Sequence, residues 1–441
     1  MYFSKHNIFS KISESDNYYL VNPLSGNADI ITADKAEEIQ KGTYTDIEEY
    51  KEKGYLIDES EEEKIYKNSY LNFLDNRDDS EIQIFFVPWY TCNFRCTYCY
   101  QEGYSEKDES LSQEVMDSFF SYVNKEFAGK KKYITVFGGE PLLPGEKSKA
   151  AIDYFVTKAG ENNLDLAFVT NGYSLEEYIP ILKKGHIREI QITVDGPEVV
   201  HNKRRPLAGG KDTFKNIVNG IDKSLEAGFA VNLRTVVDKE NMNDLVQLAD
   251  YAIEKGWTAN PLFKTQLGRN YELHFCQSDQ NKLYDRVSLY RDLYQLIVAH
   301  PQLIQYHRPA YSISKFIFEN GDLPEPLFDS CPACKTEWAF DFTGRIYSCT
   351  ATVGKEGESL GTYYPVESRR EEIIEQWESR DVTTIDKCHD CSLQLACGGG
   401  CGSVAKNNHS GEIHSPDCRP VKELLEMGIS LYFEKGVIEN D

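Results

Sequence analysis

Nowhere in the 441 residues do eighteen apolar residues run together, and the opening MYFSKHNIFSKISESDNYYL holds no uninterrupted apolar stretch of the kind a secretion signal needs. No membrane span is expected, and a cytoplasmic protein is. Positive charge is scarce: 48 Lys plus Arg stand against 71 Asp plus Glu, a formal net charge of −23. Such a field repels phosphate backbones and anionic lipid, so neither nucleic acid nor a membrane is expected as a partner, whereas a basic peptide or basic redox protein would be drawn in. The chain also lacks internal repeats and low-complexity tracts.

What remains is an ordinary globular mixture, 40% hydrophobic and 27% charged, with length for two or three domains. The twelve cysteines depart from that background. Eleven fall into two groups, at 92–99 and 331–418, with Cys276 alone between them. In a reducing compartment, clustered cysteines read as metal ligands before disulfides. Cys276 reads as a buried inert thiol, or as a base or ligand reaching the active site.

Residues 1–78 read as a small α+β module. Short apolar runs at Phe9–Ile12, Tyr18–Val21 and Asp29–Ile31 precede the helix TADKAEEIQKG, with Thr32 as N-cap and Gly42 as stop, and DIEEYKEKGYLIDESEEE reads as a second helical stretch. The acidic string Glu59–Glu63 reads as solvated surface. Residues 79–266 alternate between strand and helix. The strands are EIQIFFV, YITVFG, DLAFVTNG, EIQITVDG, AVNLRTVVD and NPLFKTQ; helical runs include VMDSFFSYVNKEF, KAAIDYFVTKAG and NDLVQLADYAIEKG, the last two closing on glycine. Six alternations predict an α/β fold, a parallel sheet wrapped by helices as an open or closed barrel whose ligands bind at the C-terminal strand ends. An aromatic helical connection (267–330), a glycine- and cysteine-rich region needing staples (331–420) and a last helix (421–441) complete the chain.

Directly after the first strand, PWYTCNFRCTYCY sets Cys92, Cys96 and Cys99 in a CxxxCxxC spacing. Three thiolates on one loop can hold three corners of a cubane and leave one iron open; a three-cysteine zinc site or free thiols are the plainer alternatives. Here the chain resembles the radical SAM superfamily, over roughly residues 80–420. The resemblance implies a partial (β/α)6 TIM-like barrel and a [4Fe-4S] cluster on the triad whose open iron is chelated by S-adenosylmethionine, with Tyr98 near the adenine. The second strand ends in Gly138, Gly139, Glu140 and Pro141. Alone this is a strand-to-helix turn with an acceptor suited to an ammonium; in register with the triad it resembles the family's GGEP motif, which holds the methionine amino group. Thr170, Asn171 and Gly172 match positions near the ribose and sulfonium. Thr193 and Arg205 match positions that bind the methionine carboxylate, with the adjacent Arg204 as the substitute for Arg205.

The distal group follows Gly344-x4-Cys349 with CxxC-x5-C-x3-C and a last cysteine, which resembles a SPASM domain. That resemblance implies two auxiliary [4Fe-4S] clusters, one on Cys331, Cys334, Cys349 and Cys401, the other on Cys388, Cys391, Cys397 and Cys418. Zinc, with His389, His409 or His414 as added ligands, is the alternative. The family's chemistry implies a radical SAM enzyme, fed by a flavodoxin- or ferredoxin-type reductant, that oxidatively crosslinks a ribosomally made precursor peptide through thioether or carbon–carbon bonds, with residues 1–78 gripping the leader at a sheet edge. Sulfatase-maturating enzymes share the cysteine pattern but carry an aspartate after the cysteine matching Cys349, where this chain has Thr350. That activity, a non-catalytic Fe–S or zinc scaffold, and a small-molecule modifier are the competing expectations.

Overall fold

The computed structural model describes residues 1–101, 104, 111–269 and 280–436. Six strands, β1 (Ile82–Val87), β2 (Lys132–Val136), β3 (Asp165–Thr170), β4 (Ile187–Thr193), β5 (Val231–Val237) and β6 (Phe263–Arg269), pair in parallel and in chain order. Their side chains alternate with period two. Ile84, Ile134, Leu166, Ile190 and Leu233 point outward and are fully buried beneath helices that include Gln113–Glu126, Glu146–Glu161 and Phe214–Glu226. The alternate positions, Phe85, Thr135, Ala167, Gln191 and Arg234 among them, line a cavity on the concave side. This is an α/β partial barrel with its main apolar core outside the sheet and a mixed polar and aromatic face inside.

Of the helices expected to close on glycine, Leu245–Glu254 is followed by Gly256 at φ +72°. The other runs through Gly160 to Glu161, and Asn163 takes the left-handed position (φ +53°).

The cysteine-rich region is joined to the barrel by a strand, not only by loops. β7 (Glu337–Asp341) pairs in parallel with β1, Trp338 against Ile84 and Phe340 against Phe86, and continues antiparallel into β8 (Arg345–Tyr347) and two short strands, giving a ten-stranded sheet. Trp338, Phe340 and Tyr363 are buried in the barrel's own core. A region with too little apolar material for its own core thus borrows its neighbour's.

The N-terminal strands Ile8–Lys11, Tyr18–Asn22 and Asn27–Ile31 form an antiparallel sheet, followed by the helix Ala33–Lys41. Gly42 ends that helix in the left-handed region (φ +68°); Thr32 stands at its N-cap in extended conformation without a side-chain capping bond. The second helical stretch is divided: Ile47–Glu52, then Leu56–Ile57 paired with Tyr2–Phe3, then a long helix Glu59–Asp78. Its acidic first turn is not wholly solvated, because Glu62 turns inward and accepts hydrogen bonds from Tyr2 and Ser4. Tyr66, Tyr70 and Phe73 on the same helix surround Phe328, while Ile8, Ile12, Tyr19 and Val21 pack on Val421, Leu425 and Ile429 of the last helix. Among the described residues no helix is long and apolar enough to cross a membrane.

Candidate functional site

Beyond β1 the chain enters the triad loop, whose backbone is fastened to the segment after the short helix Glu198–Arg204. The Arg95 N–H donates to the Pro206 carbonyl (2.9 Å), Thr97 N–H to Arg204 (2.9 Å) and Ala208 N–H to Asn93 (2.7 Å). Cys92, Cys96 and Cys99 are free thiols lining a cavity of about 1160 Å³. Burial pushes the Cys92 thiol up to about 12 and Cys96 to about 11, each thiolate opposing its neighbours.

Glu140 comes to the same cavity from the end of β2. Gly139 sits at φ +51°, and a Cβ there would stand 2.4 Å from the Thr91 carbonyl oxygen, so only glycine lets this turn lie against the triad loop. The turn is then locked: Glu140 N–H donates to Thr91 (3.0 Å), and the Trp89 indole N–H donates to the Glu140 carbonyl (2.6 Å). The Glu140 carboxylate is buried and accepts from Leu142 N–H (2.8 Å), the Thr170 hydroxyl (2.5 Å) and Asn171 N–H (2.6 Å). Burial raises its pKa to about 6 against these donors. Asn171 is fixed by the hydrogen bond its Nδ2 donates to Asn93 Oδ1 (2.8 Å). Gly138, Thr170 and Thr193 also line the cavity, and Pro141 lies buried behind the turn.

The structure separates the two adjacent arginines. Arg204 donates to both carboxylate oxygens of Asp238 (3.0 and 2.9 Å), contacts Asp195 at 3.4 Å, and is not part of the cavity wall. Arg205 lines the cavity; its Nη1 donates to the Tyr98 hydroxyl (2.6 Å), and its buried Nε has no partner among the described residues. Tyr98 in turn donates to Asp195 (2.5 Å), so its hydroxyl ties the triad loop to β4. The sequence reading missed Asp195, Asn93 and the inward polar residues Gln83, Thr135, Gln191 and Arg234. The period-two alternation of the strands, polar toward the cavity, was the signal for the last four.

The distal thiols fall into two neighbourhoods. The Cys334 thiolate is opposed by Cys349 and Cys331, and Cys331 by Cys401. Gly402 N–H donates to Cys331 Sγ (3.4 Å), and Cys349 Sγ meets the Ser403 hydroxyl at 3.4 Å. Separately, Cys388 and Cys418 are each opposed by Cys391 and Cys397. Arg380, fully buried, knits the loops between them by donating to the carbonyls of Ile413, Gly399, Gly400 and Ser415 at 2.8–3.0 Å. His389 and His414 are engaged with the Thr383 carbonyl and the Ser379 hydroxyl. All-thiol sets of four suit an iron–sulfur cluster; a buried carboxylate with an unpartnered guanidinium nitrogen on the same cavity fits an amino acid's ammonium and carboxylate. Cys276 lies outside the described residues.

Residues 86–252 match the family model of the radical SAM superfamily. The chain is 33% identical over 171 residues to the GTP 3',8-cyclase of Campylobacter fetus subsp. fetus, covering 37% of this chain and 50% of that protein. It is 28% identical over 237 residues to the GTP 3',8-cyclase of Helicobacter pylori, covering 52% and 67%. The chain thus spans about half the length of the curated relatives it matches. Native anSMEcpe with bound AdoMet and Cp18Cys peptide superposes with a TM-score of 0.61 at 19% identity, over 81% of this chain and 99% of that one. Streptococcus suis SuiB bound to precursor peptide SuiA does so with a TM-score of 0.50 at 15% identity, over 95% and 99%.

Proposed function

From a radical SAM domain at residues 86–252, we propose that this enzyme oxidatively modifies a ribosomally made peptide, forming a thioether or carbon–carbon crosslink. Cys92, Cys96 and Cys99 would hold a [4Fe-4S] cluster with one open iron; Cys331, Cys334, Cys349 and Cys401, and Cys388, Cys391, Cys397 and Cys418, would hold two more. When bound and reduced, the first cluster and S-adenosylmethionine together supply the 5′-deoxyadenosyl radical that takes hydrogen from a substrate carbon.

The chain's own residues orient and enclose. Glu140, already fixed by three donors, accepts the methionine ammonium, and Arg205 offers its free Nε edge to the carboxylate. Tyr98 and Asp195 hold Arg205 and the triad loop in register. Clusters held by the two distal thiol sets would accept the electron left by a crosslink, the second hydrogen leaving as a proton to solvent.

The observation that carries this reading is the juxtaposition, on one cavity, of an open three-thiol loop, a buried carboxylate and a partly unpartnered guanidinium, in a chain with eight further thiols in two neighbourhoods. Two solved neighbours of this fold were captured with peptides, which supports a peptide substrate. Thr350 lines the cavity where the resemblance to sulfatase maturases would call for an aspartate base, and a threonine hydroxyl does not supply a carboxylate base, which disfavours that activity. The cyclase relatives match 37–52% of this chain and carry no argument about the rest.

The test is anaerobic reconstitution followed by reaction with short peptides encoded by open reading frames beside the gene. Iron of about 12 per chain, four per cubane, and a product lighter by two hydrogens are expected. Cys391→Ala should still cleave S-adenosylmethionine yet make no crosslink; normal product from that variant would remove the auxiliary cluster from the electron path.

A further inference from the structure

The barrel interior narrows what the substrate brings with it. Among the described residues the cations lining the cavity are Arg95, Arg188, Arg205, Arg234, Lys264 and Arg269, facing only the carboxylates Glu140 and Glu189, in a chain of formal charge −23. Several already have partners. Arg188 donates to Glu81 and Asp165 at 2.6–2.7 Å, and Lys264 pairs with Glu189, both where their strands begin. Arg269 donates to the Tyr284 carbonyl and Arg205 to Tyr98. The Arg234 guanidinium makes no hydrogen bond or ion pair with any described residue, and its Nε is buried. Arg234 is half-buried, and leaving its buried Nε unmatched is costly, so the cavity wall holds a site that an incoming anion completes.

The backbone sets its aim. On β5, Arg234 stands opposite Thr193 of β4 and Gln266 of β6, which puts it on the inward face. Gly268 makes the berth: a Cβ there would stand 2.9 and 3.0 Å from Arg234 Nε and Nη2. β6 is the terminal strand of the sheet, so Arg234 lies one strand in from the sheet's edge. Arg205, by contrast, neighbours Cys96 and Tyr98.

We propose that Arg234 anchors a carboxylate of the peptide substrate, either an acidic side chain or the C-terminus, close to the residue that is modified. The inference rests on the peptide-modifying reading above. A guanidinium fork meets a planar carboxylate with two parallel hydrogen bonds, which fixes orientation as well as position.

The test uses the full reconstituted chain with S-adenosylmethionine bound, titrated by saturation-transfer NMR. The probes are N-acetyl-Gly-Asp-Gly-amide, its Asn counterpart, N-acetyl-triglycine as free acid and as amide, and GTP. At least one charged peptide should bind about tenfold more tightly than its neutral twin, the worth of one charge-assisted hydrogen bond, and which pair shows the difference tells side chain from C-terminus. Arg234→Gln should erase the difference, Arg234→Lys restore part of it, and Gly268→Ala diminish it. Equal binding of charged and neutral peptides, or no binding by any, overturns the anchor and leaves the peptide reading standing. GTP binding more tightly than every peptide overturns both. Lost affinity for S-adenosylmethionine in Arg234→Gln, with peptide discrimination intact, assigns the residue to the cofactor and overturns the anchor as well.

Discussion

Arg204 and Arg205 show how much one residue's direction decides. In the sequence they are interchangeable, because adjacency says nothing about which side chain turns toward the cavity. The structure gives Arg204 a buried ion pair with Asp238 and leaves Arg205 facing the triad. Arg204→Ala strands the Asp195 and Asp238 carboxylates in the interior, so unfolding free energy should fall by about 3–5 kcal/mol, while the molecules that remain folded keep S-adenosylmethionine affinity within a few-fold. Arg205→Ala should weaken that affinity by about tenfold or more, the loss of a charge-assisted bond. Denaturant melts and equilibrium binding separate the two; the reverse pattern would exchange their roles. The cysteines and the Gly138–Pro141 turn were legible because their chemistry depends on local spacing. Asp195, which acts through Tyr98, was not, since nothing in ITVDGP marks an aspartate that bonds across 97 residues.

Elements formed from local pattern were readable, and elements formed by partnership were not. The six barrel strands announce themselves by alternation. β7 gives no such notice, because its parallel partner β1 lies some 250 residues earlier, and only the assembled sheet shows the two edges to be complementary. The long helix Glu59–Asp78 is similar: its acidic start looks solvated until Glu62 and Tyr66 are seen facing the N-terminal strands. His6 stacks on Tyr66 with ring centroids 5.4 Å apart, and neither ring nitrogen has a partner among the described residues. Burial lowers its pKa to about 4, against the opposing pull of Glu62. A base whose folded pKa lies below its unfolded value near 6.5 binds more protons when unfolded, so its favourable contribution is whole above pH 6.5 and is lost as pH falls toward 4. Hydrogen exchange in residues 1–78, corrected for intrinsic rates, should therefore lose protection between pH 6.5 and 4.5, and lose less in His6→Phe. Equal protection at both pH values in the unaltered protein would contradict this.

At the scale of the whole molecule, one sheet runs from the open edge at β6, through the barrel, into the hairpin that carries Cys349. The triad and the first distal thiol neighbourhood are consequently mounted on adjacent strands, β1 and β7, and both Cys92 and Thr350 face one cavity. Composition foresaw the staples but not this shared sheet, since a region poor in apolar residues gives no sign of whose core it will join. The N-terminal module and the last helix close over the other side of the distal thiols, with Cys397 packed in their common cluster.

The account rests on the triad loop holding an iron that S-adenosylmethionine can reach. Its most direct measurement compares the reconstituted, dithionite-reduced protein with Cys96→Ala for 5′-deoxyadenosine formation and for the cluster's EPR spectrum before and after S-adenosylmethionine is added. The unaltered protein should form the nucleoside and change its spectrum, while Cys96→Ala forms none yet keeps the iron of both distal sets. Undiminished nucleoside from Cys96→Ala, or a spectrum that S-adenosylmethionine leaves unchanged in the unaltered protein, would contradict it.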